Sequence, residues 1–120
     1  MWYWRRLRRG LASPLEFVIL LLLTEKPWYG YEIAQRLGVL FREMWIPNVG
    51  TIYHILHRLE KRKFVDCRIE RRPDGIERKL YKINAVGKEA LRKTAKEFRD
   101  QVDLIREVAR LSDKFEKKRK

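Results

Sequence analysis

The chain changes periodicity twice. Residues 16–25, EFVILLLLTE, are apolar on nearly every side, which predicts a helix buried centrally in the core. Ser13, Pro14 and Glu16 mark its start: serine caps, proline suits the first helical position, and Glu16 completes a capping box. Lys26-Pro27 ends it, because proline disfavours helix in the residue before it. A second helix is predicted over Tyr29 to Leu37, with Tyr31 or Ile33, Ala34 and Leu37 inward and Gly38 weakening its end. Met44, Trp45 and Ile46 suggest a packed connection before Pro47. Residues 48–64, NVGTIYHILHRLEKRKF, then set Val49, Ile52, Leu56 and Leu59 at helical spacing. Asn48, Thr51, His54, His57, Arg58 and Lys61 line the opposite side.

Helical spacing gives way to alternation. Val65, Cys67 and Ile69 interleave with Asp66, Arg68 and Glu70, the pattern of a half-buried strand. Pro73-Asp74-Gly75 signals a turn, and Arg78 to Ile83 returns with Tyr81 and Ile83 on one face. From Asn84, a plausible cap, the helical pattern resumes. Leu91, Ala95, Phe98, Val102, Ile105 and Ala109 advance in steps of four and three, the spacing of a coiled-coil seam. Such a helix extends past so small a core, so self-association is expected, with folding back across its own domain as the alternative. The order helix, helix, helix, basic hairpin, long helix is mainly α with a small β-hairpin wing: a winged helix-turn-helix plus a C-terminal dimerisation helix. The expected division is a basic aromatic arm at 1–12, a winged-helix DNA-binding domain at 13–84, the dimerisation helix at 85–113, and a fraying basic tail at 114–120.

Charge narrows the class of partner. Lys+Arg number 29 against 16 Asp+Glu, a formal net charge of +13 on 120 residues. Such self-repulsion is best tolerated opposite a polyanion, nucleic acid first and an anionic membrane surface second. The longest apolar run, Phe17 to Leu23, is far short of the roughly 20 residues a membrane-spanning helix needs, so no stable insertion is expected. One cysteine, Cys67, excludes an internal disulfide framework and suits a reducing cytoplasm. The arm MWYWRRLRR is open to a membrane surface, a DNA backbone or a partner subunit; packing plus phosphate contact is the favoured reading.

Chemistry finds little to stand on. His54 and His57 share a helix face, but a metal site needs three or four ligands and no other histidine exists. No Gly-rich phosphate loop, H-E-x-x-H or G-x-S-x-G occurs. Glu60, Glu70 and Glu77 are scattered among arginines and read as a solvated ion-pair surface. No enzyme activity, metal or cofactor is expected. The polar side of residues 48–62 therefore falls to DNA, as the helix that enters the major groove.

The segments LLLTEKPWYGYEIAQRL, PNVGTIYHILHRLEKRKFV and ERKLYKINAVGKEAL resemble the PadR-like family of winged-helix transcriptional regulators, over roughly residues 15–91. The resemblance implies a homodimer that represses transcription from a palindromic site, often relieved by a small aromatic or cationic effector. It assigns Asn48, Gly50, Thr51, Tyr53 and Arg58 to the recognition helix, Gly30 and Tyr31 to the start of the second helix, and Lys79 and Tyr81 to the wing. His54 stands where the family usually has proline, and Phe98 occupies the place of an effector-contacting aromatic. Residue chemistry divides the labour further. Asn48, His54 and Arg58 are expected to read bases, Thr51 and Tyr53 to fix register on the backbone, and Tyr31 to reach a phosphate. Arg71, Arg72, Arg78 and Lys79 would grip flanking phosphates or the minor groove. The dimer interface is expected along Leu91, Ala95, Phe98, Val102, Ile105 and Ala109. A sequence-tolerant architectural DNA binder is the alternative, and a winged helix used for protein contacts a third.

Overall fold

In a computed structural model, residues 14–42 and 48–119 are described. The arm, Ser13, the 44–46 connection and Lys120 lie outside them. The elements are α1 (Pro14–Glu25), β1 (Trp28–Tyr29), α2 (Gly30–Leu40), α3 (Val49–Lys61), β2 (Val65–Arg71), β3 (Glu77–Ile83) and α4 (Ala85–Lys118). This is the expected mainly α architecture with a small wing and a long C-terminal helix.

Burial follows the apolar pattern, with two exchanges. Phe17, Ile19, Leu20, Leu22 and Leu23 of α1 are buried, and Ile33, Leu37, Leu56, Leu59, Ile83 and Leu91 close around them. On α3 the inward stripe is Ile52, Ile55, Leu56 and Leu59. Val49, expected inward, is exposed in the first turn, and Ile55 takes its share of the core. On α2 Ile33 faces inward and Tyr31 outward, and the helix runs through Gly38 to Leu40.

The sheet holds one strand more than the expected hairpin. Its antiparallel order is β1-β3-β2, with Trp28 opposite Tyr81 and Tyr29 opposite Leu80. Pro27 stops α1 and leaves Trp28 and Tyr29 extended, while Trp28 Nε1 donates to the Leu22 carbonyl at 2.8 Å. Two residues are too few to show alternation in a sequence. Along β2, Val65 is buried, Cys67 half-buried and Ile69 exposed, because the wing leaves the body as it lengthens.

The joint between α3 and the wing is tightly specified. Phe64 N donates to Leu59 O at 3.0 Å and Lys63 N to Glu60 O at 2.9 Å, the paired bonds of a Schellman cap. Lys63 occupies its left-handed position at φ 63°. Asn84 binds the joint to α4: its Nδ2 donates to Lys63 O at 2.9 Å and its Oδ1 accepts from Gly87 N at 2.9 Å. A Cβ on Gly87 would overlap the Phe64 carbonyl oxygen, so only glycine lets α4 start there. At its far end α4 stays helical to Lys118 instead of fraying from Lys114, with Arg110–Glu107 and Arg119–Glu116 pairs along the last turns.

Two substitutions at this joint should move stability in opposite directions. Lys63→Gly relieves the left-handed penalty and should raise unfolding free energy by about 0.5–1 kcal/mol. Asn84→Ala should lower it by about 1 kcal/mol. Chemical denaturation of both variants checks the pair of signs.

Candidate nucleic-acid interface

The outward side of α3 begins with its cap. Asn48 Oδ1 accepts from Gly50 N at 2.7 Å, so this amide, expected to read bases, is engaged at the helix start. Thr51, Tyr53, His54, His57 and Lys61 follow along the exposed face. Tyr53 has a second neighbour. A Cβ on Gly30 would run into the Tyr53 ring, so the buried glycine opening α2 is what allows α2 and α3 to approach here. Gly30 is thus a packing residue, and any contact it makes outward is through its backbone.

Arg58 is placed otherwise than expected. Its Nε donates to Glu16 Oε1 at 2.9 Å, where Glu16 is 0% exposed in the first turn of α1 and the Arg58 side chain 41%. A buried carboxylate needs a cationic partner, and α3 supplies it across 42 positions of sequence. Expected as a base reader, Arg58 is a structural tie between α1 and α3.

The wing is a basic ribbon with internal pairing. Glu70 stands opposite Arg78, and Arg71 opposite Glu77 with an ion pair of 3.1 Å; Arg72 reaches Asp74 at 3.4 Å. These exposed pairs are weak and leave the arginines open to competition from a stronger anion. Lys79 points outward. Tyr81, expected to touch DNA from the wing, is only 3% exposed. Burial pushes its phenol pKa up, with further upward contributions from Cys67 and Glu60. It belongs to the core, because period two turns Tyr81 and Ile83 to the body while Lys82 faces out.

Where wing and helices meet, Tyr29, Arg68 and Glu70, outside the expected site, converge with Tyr31 and Arg78 from within it. Tyr29 Oη donates to Glu70 Oε2, and Arg68 Nη2 donates to Glu70 Oε1 at 2.7 Å. The Arg78 guanidinium lies 4.2 Å above the Tyr29 ring centroid, and Tyr31 stacks parallel to Tyr29 at 5.9 Å. The Tyr29 hydrogen bond, then Arg68, hold the Glu70 carboxyl below the ordinary carboxylate range, and Glu70 in turn raises the Tyr29 phenol. Beside this cluster a cleft of about 430 Å³ opens, lined by Tyr29, Tyr31, Tyr53, His57, Arg78 and Lys79 among others. Tyr29 and Glu70 carry no sequence signal for this role; the pairing of both β1 and β2 with β3 brings them together.

On α4 the expected seam is divided. Leu91 is buried, and Ala95 and Phe98 pack on the chain's own core, with the Phe98 ring 5.0 Å from Phe17. Phe98, the candidate effector contact, thus packs on the chain's own α1. Val102 is half-buried, and Ile105 and Ala109 are exposed. A second apolar stripe, Leu104, Val108, Leu111 and Phe115, is 52–65% exposed beyond the point where α4 leaves the body. Among the described residues no helix is long and apolar enough to cross a membrane.

Removing the Arg58 charge takes from Glu16 its partner on α3. Arg58→Met is expected to cost about 1–3 kcal/mol, and a double-mutant cycle with Glu16→Gln should show coupling of about 1 kcal/mol. Additive losses in denaturation midpoints would mean that the two side chains act independently.

Known proteins place the chain. Residues 19–93 match the transcriptional regulator PadR-like family. The uncharacterized protein X of Lysinibacillus sphaericus is 33% identical over 95 residues, covering 79% of this chain and 87% of that protein. A solved transcriptional regulator from Clostridium thermocellum superposes with a TM-score of 0.69 at 25% identity, covering 77% of this chain and 89% of that one. A PadR-like transcriptional regulator from Bacillus cereus gives 0.68 at 25%, covering 79% and 90%. Bacillus subtilis PadR, solved in complex with operator DNA, gives 0.65 at 25%, covering 71% of this chain and 48% of that one. With these motifs, this fold and these relatives, the chain belongs to the PadR-like family of transcriptional regulators.

Proposed function

We propose that this protein is a sequence-specific double-stranded DNA-binding repressor that acts in the cytoplasm as a homodimer on a pseudo-palindromic site. One observation carries it: the exposed side of α3, the start of α2 and the wing line one cleft, with Arg72, Arg78 and Lys79 among its walls, on a chain of net charge +13. The similar Bacillus subtilis PadR, which binds operator DNA, supports it. In this reading α3 enters the major groove, with His54 toward base edges and Thr51, Tyr53 and Tyr31 at the backbone. Arg71 and Arg72 exchange their weak surface partners for phosphates, and exposed Lys79 takes a phosphate directly. Arg58 acts through Glu16, by fixing the angle of α3.

The distal stripe of α4 supports the dimer. Leu104, Val108, Leu111 and Phe115 repeat in steps of four and three and are exposed, and an apolar stripe of this length calls for a cover. A second copy supplies an identical stripe, and the two recognition helices would then meet successive major grooves about 34 Å apart. A small aromatic or cationic effector fits the same scheme as a ligand of the dimer.

Selection of bound duplexes from a random pool, followed by anisotropy titrations over a salt series, tests the proposal. A preferred site should survive excess bulk DNA, with log affinity falling by about 0.9 per log unit of salt for each phosphate neutralised. Lys79→Ala should weaken all sequences alike and make the slope shallower by about 1. Binding that vanishes into bulk competitor would instead favour a sequence-tolerant architectural protein, the reading that net charge alone supports. Val108→Glu with Leu111→Glu should convert a sedimenting dimer into a monomer and abolish preference for the full palindrome.

A further inference from the structure

Glu70 is an acidic side chain placed where a polyanion is to bind. If it had no other task, it would weaken binding through its charge, and the wing would be better without it. Its contacts indicate a task. Oε2 accepts from the Tyr29 phenol and lies 3.7 Å from Arg78 Nε, and Oε1 accepts from Arg68. Tyr29 is the N-cap residue of α2 and sits on β1, at the opposite edge of the sheet from β2, so its phenol crosses over β3 to reach Glu70. One carboxylate therefore joins the start of α2 to the far strand of the wing. The same carboxylate is the ion-pair partner of Arg78, whose guanidinium lies 4.2 Å above the Tyr29 ring at the rim of the cleft between α3 and the wing.

An arginine side chain free in solvent loses much rotamer freedom when it takes a phosphate, whereas one already held loses less. The wing as a whole has the same difficulty: a two-stranded ribbon projecting from a small body pivots unless something fixes its angle. We propose that Glu70 is a positioning residue for nucleic-acid binding, which holds Arg78 on Tyr29 and locks the wing to the start of α2 so that wing and α3 meet DNA as one surface. This rests on the reading that the cationic face binds double-stranded DNA. Glu77 is the internal contrast: it is also acidic and on the wing, but among the described residues its ion pair is with Arg71, near the wing tip and away from the body.

The contrast makes the sign of the effect decisive. The full chain, Glu70→Gln, Glu77→Gln and Tyr29→Phe are titrated against the selected duplex by anisotropy across a salt series, with melting temperatures measured in parallel. Both glutamine variants remove one negative charge from the wing, so a field effect alone strengthens binding in both. Positioning predicts that Glu77→Gln binds as well or better, while Glu70→Gln binds about three- to tenfold more weakly at constant salt. Its salt slope should be shallower by about 0.9, one phosphate contact fewer. Tyr29→Phe keeps the stacked ring and the carboxylate but loses the tether, and should weaken binding in the same direction by less. If Glu70→Gln does not fold, Tyr29→Phe against Glu77→Gln carries the same contrast. Equal or tighter binding by Glu70→Gln, or a lower melting temperature with unchanged affinity and slope, overturns the role of Glu70 alone. A parent chain that binds no duplex with a salt slope overturns the DNA reading, and this inference with it.

Discussion

A helix that is apolar on nearly every side has to be covered on nearly every side, and α1 places that requirement on the rest of the chain. Ile19 and Leu20 are inaccessible, and α4 and β3 both pack against α1. The aliphatic stripes of α2 and α3 supply the remaining cover. Each wholly buried aliphatic side chain is worth roughly 1.5–3 kcal/mol relative to exposure, which favours wrapping α1 on all but the side where Leu21 stays exposed. The outer sides of α3 and of the wing are left to face the same way as a by-product. The surface available for DNA is the surface that α1 does not need.

That economy forces several side chains to serve two ends. Arg58 lies on α3, beside its exposed polar face, yet gives its Nε to the buried carboxylate of Glu16. Tyr53 shows part of its ring to solvent and rests the remainder on Gly30. Asn48 closes the first turn of α3 with the oxygen that a base would otherwise have had. In each case half of a polar side chain holds the element in place, and the outward half is what a ligand can use. Small interfaces built on three short helices have few residues to spare, and preorganisation is obtained by sharing them.

Most of the architecture was legible in the residues. The order of elements, the capping role of Asn84, the turn at residues 73–75 and the inward face of the last strand are local matters of period, propensity and turn chemistry. The misses have local causes too. Val49 matched the stripe but sits in the first turn, ahead of the covering elements, and Ile55 lies on the stripe's other shoulder. Strand β1 is only two residues long and owes its existence to Pro27 and to the partner edge of β3. The seam along α4 is divided: Leu91 and Phe98 pack on the chain's own core, while Leu104, Val108, Leu111 and Phe115 carry an exposed stripe.

The site divides along a similar line. Sequence alone determined the strongly basic character, through composition, and the order of the helices and the hairpin, through pattern. Only the tertiary structure decided which charged side chains are committed elsewhere. Glu16 and Arg58 are 42 positions apart, and Tyr29 and Glu70 are 41 apart. No periodicity links residues at such separations, because the link is made by the packing of whole elements and not by the geometry of one. Hence Glu70, which reads in the sequence as one more member of a solvated ion-pair surface, is in the folded chain the carboxylate around which the wing is set.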